Sequence, residues 1–268
     1  MKFGDGGGSG AEAVPALLAK GVRHLRIELL DEDDAAIGKV IGTRVAWNSG
    51  GPNPIWFNPR QEGEPDTTYQ LRNWYYFNWL CGDHIVEQHV HNIDVANWAK
   101  NGYPVKAEGT GGRAVRTGKE HGEIFDHHVL TFTYADGTVI HSECRHFPGA
   151  ANRVDETFQG TQGKAYLSAG NHGLLTDWKG NVLYDHDRKN QPNPYQQEHD
   201  ELWAALVKGE YKFADAENAA KSTMTAIMGR YATYSGKVMT WEDSLNGKVD
   251  LFPDTLAWDA QPKLLPNA

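Results

Sequence analysis

Apolar and polar residues alternate over most of the middle of this chain, which is the period of a half-buried β-strand. The alternation runs through residues 38–48, Val105–Val115, Val129–Tyr134, Thr138–Cys144, Asn152–Gln159, Lys164–Ala169, Leu174–Trp178 and Val182–Asp185. Three pairs of these runs are separated by turn chemistry: Asp136 and Gly137, the stretch from Gly160 to Gly163, and Lys179 to Asn181. Asp-Gly between alternating runs is a strong hairpin signal, because glycine supplies the positive φ of a tight turn. Successive hairpins predict a meander and a large, open, mostly antiparallel sheet. Helical spacing appears at Asn73–Leu80, Asp83–Lys100, Gln196–Lys208 and Asp215–Ser235. Asp83 and Asp215 stand at N-cap positions, and the helix from Asp83 stops ahead of Gly102 and Pro104. Residues 49–72 hold Pro52, Pro54, Pro59 and Pro65 and read as one long irregular segment. The class predicted is α+β, with the helices segregated to one face of the sheet.

The first 34 residues differ from the rest, and we place a boundary between residues 1–34 and 35–268. A glycine-rich stretch is followed by a short helical run, by the apolar positions Val22, Leu25, Ile27 and Leu29, and by an acidic close. That is the order of a dinucleotide-binding βαβ unit. Gly6, Gly8 and Ala11 fit the G-x-G-x-x-G/A spacing, and Asp31 stands where an acidic residue meets a ribose hydroxyl. The opening strand is short, so a flexible glycine linker is the competing reading.

The densest polar cluster lies on the helix expected from Asp83. At about 100° per residue, Asp83, His84, Glu87, His91 and Asp94 share one face. Ile85, Val86, Val90 and Ile93 lie opposite. Glu87 and His91 form an i, i+4 pair, and a carboxylate beside an imidazole fixes its tautomer and raises its basicity. That is the logic of an oriented general base. A merely solvated polar face is the alternative. His89 falls among the apolar residues and reads as a core histidine. His84, Glu87 and His91 could share a metal, but nothing completes a closed shell, so no metal is assigned.

From Gln70 the run QLRNWYYFNWLCGDHIVEQHVHNIDVANWAKNGYPVKAEGTGGR resembles the C-terminal domain of the Gfo/Idh/MocA oxidoreductases, the relatives of glucose–fructose oxidoreductase and inositol dehydrogenase. The resemblance continues through FDHHVLTFTYADGTVIHSECRH, GTQGKAYL and DAENAAKSTMTAIMGRYATYSGKVMTWED, and covers roughly residues 35–250. It implies an NAD- or NADP-dependent oxidoreductase acting on a sugar, polyol or related hydroxyl compound, with an open sheet that pairs subunits into a homo-oligomer. His91 matches the family's catalytic histidine in an H-x-x-D segment that Asp94 completes. Glu87 stands where many relatives carry a catalytic Asp. His84, Arg72 and His146 fall in family-like segments as candidate substrate contacts. Arg72 reads equally well as a surface ion pair, and His146 as a satisfied strand histidine. The resemblance also implies most of a Rossmann domain and an E-K-P lysine that have no counterpart here. Two other readings follow: a non-catalytic sugar-binding and oligomerisation module, and a relative of redox-assisted glycosidases. Trp47, Trp56, Trp74 and Trp79 offer faces on which a sugar ring stacks.

Composition narrows the partners. The 268 residues carry a formal charge of −9 and no Lys/Arg-rich run, which argues against nucleic acid and anionic membranes. No stretch reaches the roughly 18 consecutive apolar residues of a membrane span. No basic and apolar leader is visible at the N-terminus, so a cytoplasmic location is the expectation. Cys81 and Cys144 are the only cysteines, too few for a disulfide framework.

Overall fold

In the computed structural model, which describes residues 36–51, 57–168, 172–185, 193–210, 213 and 215–263, the meander becomes part of one nine-stranded sheet. Its strands are β1 (Val40–Ser49), β2 (Lys106–Gly112), β3 (His127–Thr133), β4 (Val139–His146), β5 (Arg153–Gly160), β6 (Gly163–Ser168), β7 (His172–Asp177), β8 (Val182–Asp185) and β9 (Met239–Thr240). The order across the sheet is β8-β7-β6-β5-β1-β4-β3-β2-β9. β1 lies at the centre, parallel to β4 and antiparallel to β5. The other described pairings are antiparallel. The expected hairpin forms at Gly137, whose φ of 83° a residue with a Cβ adopts only under strain. Asp136 Oδ1 accepts from the Thr138 N–H at 2.9 Å and steadies the same turn.

The helices are α1 (Asp66–Arg72), α2 (His84–Glu87), α3 (Val90–Lys100), α4 (Pro194–Lys208), α5 (Asp215–Ser235) and α6 (Trp241–Asn246). α3 and α5 lie on one face of the sheet. Strand alternation sends His128, Leu130 and Phe132 of β3, and Ile140, Ser142, Cys144 and His146 of β4, toward that face. There Val45, Ile85, Ile93, Leu130, Phe132, Ile140 and Met228 form the main core. α5 approaches closely because of Gly229, where an added Cβ would stand 2.8 Å from the Phe132 ring. Val129, Thr131, His141 and Glu143 point to the opposite face, on which no described helix packs.

Three expectations need correction, the first being the helix over Asn73–Leu80, where only the 3-10 turn Trp74–Tyr76 forms. Residues 49–72 are not wholly irregular, because α1 starts at Asp66 directly after Pro65, an acidic first turn behind a proline. The segment from Asp83 is not one helix. It breaks at Gln88 and His89, where the N–H groups of both residues reach the His84 carbonyl. The break turns His89 into the core. Its Nε2 lies 2.7 Å from Ser142 Oγ and its Nδ1 3.2 Å from Asn92 Oδ1. Burial pulls the His89 pKa down to about 3, so the imidazole is neutral, the core histidine expected of it. Asn92 in turn donates to Glu156 Oε1 on β5 at 2.5 Å and ties α3 to the sheet.

That tie depends on pH. Burial raises the Glu156 pKa from 4.5 to about 7, against the Asn92 hydrogen bond, which lowers it. The folded chain therefore holds a proton there that the unfolded chain releases above 4.5. Stability from this group is full below pH 4.5 and is lost as pH rises through about 7. We predict that Glu156→Gln, which keeps an acceptor for Asn92, matches the parent at pH 5. At pH 8 it exceeds the parent by about 2 kcal/mol in urea unfolding. Equal stability at both pH values would show that Glu156 is ionised without cost.

Candidate active site

The site is built on Asp83. Its φ of 68° lies in a region that residues with a Cβ rarely adopt. Its side chain explains why the chain holds it there. Oδ1 accepts from the His84 N–H at 2.5 Å and lies 2.9 Å from His84 Nδ1. Oδ2 accepts from the Phe125 N–H at 3.0 Å and from the Tyr234 hydroxyl at 2.7 Å, and His128 Nε2 stands 3.3 Å away. Burial opposes the charge, but the His128 charge and the bonds from His128 and His84 hold the carboxyl well below its ordinary pKa. His128 is oriented from behind by Thr233 Oγ1, 2.9 Å from its Nδ1. Donor atoms of Asp83, His84 and His128 lie within 4.8 Å of one another, the one described group with metal-like spacing. The His84–Glu87–His91 ligand set weighed from the sequence is not assembled, because His84 is fully buried whereas His91 is exposed.

Next to this layer the structure brings His84 and His146 together, with ring centroids 4.6 Å apart. His146 closes β4, is buried, and stands opposite Ser49 of β1. Arg116 Nη2 lies 2.8 Å from His146 Nδ1. Arginine has only donors, so Nδ1 accepts and the ring proton sits on Nε2. Burial, with the charges of His84 and Arg116, pulls the His146 pKa down to about 2, which agrees with a neutral ring. Tyr75 stacks at 6.4 Å from the His146 ring, and its hydroxyl bonds Gln88 at the break between α2 and α3.

Outward from that break lie the residues expected to act. Glu87 ends α2, half-buried, and its Oε1 accepts from the Gly82 N–H at 3.0 Å. His91 stands in the first turn of α3 with its ring 6.0 Å from that of Trp47 on β1. Among the described residues no hydrogen bond joins Glu87 to His91, since the helix break disturbs their i, i+4 register. His91 and Asp94 border a groove of about 730 Å³ between α3 and the start of α5. Arg72 lies elsewhere, in an ion pair with Glu64 at 2.5 Å. Gly6, Gly8 and Asp31 lie outside the described residues, as does Trp56. Sequence reasoning passed over Arg116, Tyr75, His128 and Tyr234. The paired histidines of the FDHH run were the one visible hint of a buried imidazole.

Comparison with known proteins places this geometry in a setting. No model of a known protein family matches the chain, and no curated protein matches it. Solved structures do match. An aldose-aldose oxidoreductase from Caulobacter crescentus, complexed with glycerol, shares 14% identity over 86% of this chain and 68% of its own, at a TM-score of 0.59. A levoglucosan dehydrogenase in complex with NADH shares 11% identity over 86% of this chain and 63% of its own, at 0.58. A UDP-N-acetylglucosamine 3-dehydrogenase from Acidithiobacillus ferrooxidans shares 14% over 84% and 60%, at 0.53. The chain thus spans 60 to 68% of the length of these three proteins. Over the matched part it shares the fold of these three proteins, which supports the resemblance read from the sequence at the level of fold.

The Asp83 carboxylate sets a stability test. We predict that Asp83→Asn, which removes the buried carboxylate on which His84, His128, Phe125 and Tyr234 converge, costs about 3–5 kcal/mol in chemical unfolding. Asp94→Asn, on the exposed side of α3, stays within about 0.5 kcal/mol of the parent. Equal effects of the two changes would remove Asp83 from the centre of the network.

Proposed function

We propose that this chain forms the substrate side of a nicotinamide-dependent oxidoreductase acting on a sugar or polyol hydroxyl, with His91 as the general base. The observation that carries the reading is the different fate of three histidines on one short segment. His84 and His89 are fully buried and partnered, while His91 faces out over a groove beside the indole of Trp47. An indole face packs against the C–H face of a sugar ring. An exposed imidazole next to it can take the hydroxyl proton as the carbon is oxidised. Glu87, expected from the sequence to orient His91, is instead bonded to the Gly82 N–H and is given no part in the proton transfer. Neighbours of the same fold, one of them in complex with NADH, support the class of reaction.

The described residues do not themselves fit a dinucleotide. They form one open sheet with a single parallel pairing, and no described helix opens on a glycine-rich turn after a parallel strand. The described residues therefore supply no step through the cofactor, and its docking belongs outside them. The same observation favours a second reading as a sugar-binding module without its own turnover.

A titration with NADH and NADPH separates the two. On the first reading, binding saturates and a sugar or polyol is oxidised. His91→Ala then lowers turnover by about 10²- to 10⁴-fold with unchanged circular dichroism, because the side chain is exposed. A full rate in that variant would overturn His91 as the base. Sugar binding without cofactor binding up to millimolar concentration would select the second reading.

A further inference from the structure

Arg116 is buried, and none of the described carboxylates pairs with its guanidinium. Its Nη2 is spent on His146, and its Nη1 has no partner although it is sealed from solvent. Three acids on neighbouring segments are committed elsewhere. Asp126 Oδ2 accepts the N–H groups of Ala114, Val115 and Arg116 at 2.7, 2.6 and 2.9 Å, and its Oδ1 holds His127. Asp83 is enclosed by its own donors, and Glu87 is bonded to Gly82. What surrounds the guanidinium instead is aromatic: its carbon lies 5.5 Å from the centre of the Tyr76 ring and 5.9 Å from that of Tyr75. A buried, uncompensated cation is strongly unfavourable, and buried donors are almost always satisfied.

Gly51 lies against this pair. It stands just beyond β1 with a φ of 107°, and a Cβ there would lie 3.5 Å from Arg116 Nη2 and 3.4 Å from the His146 Cβ. The neutral His146, bonded through Nδ1, adds an N–H donor and no acceptor to the surroundings. Tyr75 then links this corner to Gln88, and so to the break from which Glu87 and His91 diverge.

We infer that Arg116 anchors a carboxylate subsite, and that the sugar accepted by this protein is a sugar acid, a uronate or an aldonate. The inference rests on the reading of the chain as the substrate side of a sugar oxidoreductase. A guanidinium whose Nη1 is left without a partner matches a single carboxylate, whereas the neighbouring cation, Arg113, is turned onto the Arg116 and Gly118 carbonyls and adds no second anchor for the higher charge of a phosphate. Bound there, the carboxylate fixes one end of the sugar and leaves its hydroxyls to reach toward the α2–α3 break.

The test is calorimetric titration of the full chain with D-glucuronate, methyl β-D-glucoside and D-glucose 6-phosphate. We expect glucuronate to bind at least about tenfold tighter than the neutral glucoside, with no such gain for the phosphate. Arg116→Gln removes the preference, so that glucuronate falls to the level of the glucoside, and leaves the ligand-free melting temperature equal or higher, because an unpaired buried charge is gone. Arg116→Lys keeps the charge without the fork, loses most of the preference, and serves if the glutamine variant does not fold. If neither variant folds, the wild-type ranking of the three ligands decides. Equal binding of glucuronate and glucoside, a preference that survives Arg116→Gln, or a preference for the phosphate would each overturn the inference. Binding of the glucoside alone leaves the oxidoreductase reading standing. Arg116-dependent glucuronate binding without any nicotinamide-linked turnover removes that reading and keeps the subsite. Failure of all three sugars removes both.

Discussion

One buried carboxylate organises this molecule. Asp83 receives two backbone N–H groups, a phenol and two imidazoles, and these come from three separate parts of the chain. Through Tyr234 it grips the end of α5, and through His128 it grips β3. Through Phe125 it fixes the segment that leads into that strand. A charge so enclosed is tolerable only when every oxygen is bonded. The strained φ of Asp83 belongs to the same bargain, since it aims the carboxylate inward while the chain turns out into α2. The start of α2, the break after it and the placing of α3 all follow from this anchor.

The consequence is a graded polarity around the proposed site. In the interior lie His84, His128 and His146, in contact with one another and neutral or ion-paired. At the surface stands His91, whose ring meets Trp47 and solvent. The inner histidines are too well buried to trade protons freely with water. Their contribution is positional: they set where α2 ends, and the break sets which way His91 faces. His89 performs the same service from the other side, since its bonds to Ser142 and Asn92 pull the first turn of α3 onto the sheet.

Local signals and long-range bonds were not equally legible in the sequence. The hairpin at Asp136 and Gly137 could be read directly, because the residues that make that turn are adjacent. The N-cap at Asp83 was legible for the same reason, and the cap is observed. Its larger role was not, because Tyr234 lies 151 residues further on. The helix break at His89 was hidden likewise: helical periodicity says nothing of Ser142, 53 residues away, or of Glu156, which takes Asn92 from 64 residues away. The face predicted to join His84 to His91 was therefore drawn on a helix straighter than the real one. α1 was passed over because proline density suggested a loop, although Pro65 and Asp66 begin a helix.

Arg116 shows why a site of this kind escapes sequence reading altogether. In the run GGRAVR it has the look of an ordinary surface cation, and its meaning comes from what the fold removes. Asp126 draws the backbone of residues 114–116 inward, and this carries the Arg116 side chain beneath Gly51 and against His146. The carboxylate that positions the loop is thereby unavailable to neutralise the guanidinium. An apolar side chain in that corner would satisfy packing without any charge to bury. The arginine makes physical sense if something anionic completes the corner. The chain's formal charge of −9 makes an internal positive site the more conspicuous, because it offers an acidic ligand a local attraction that the surface as a whole does not.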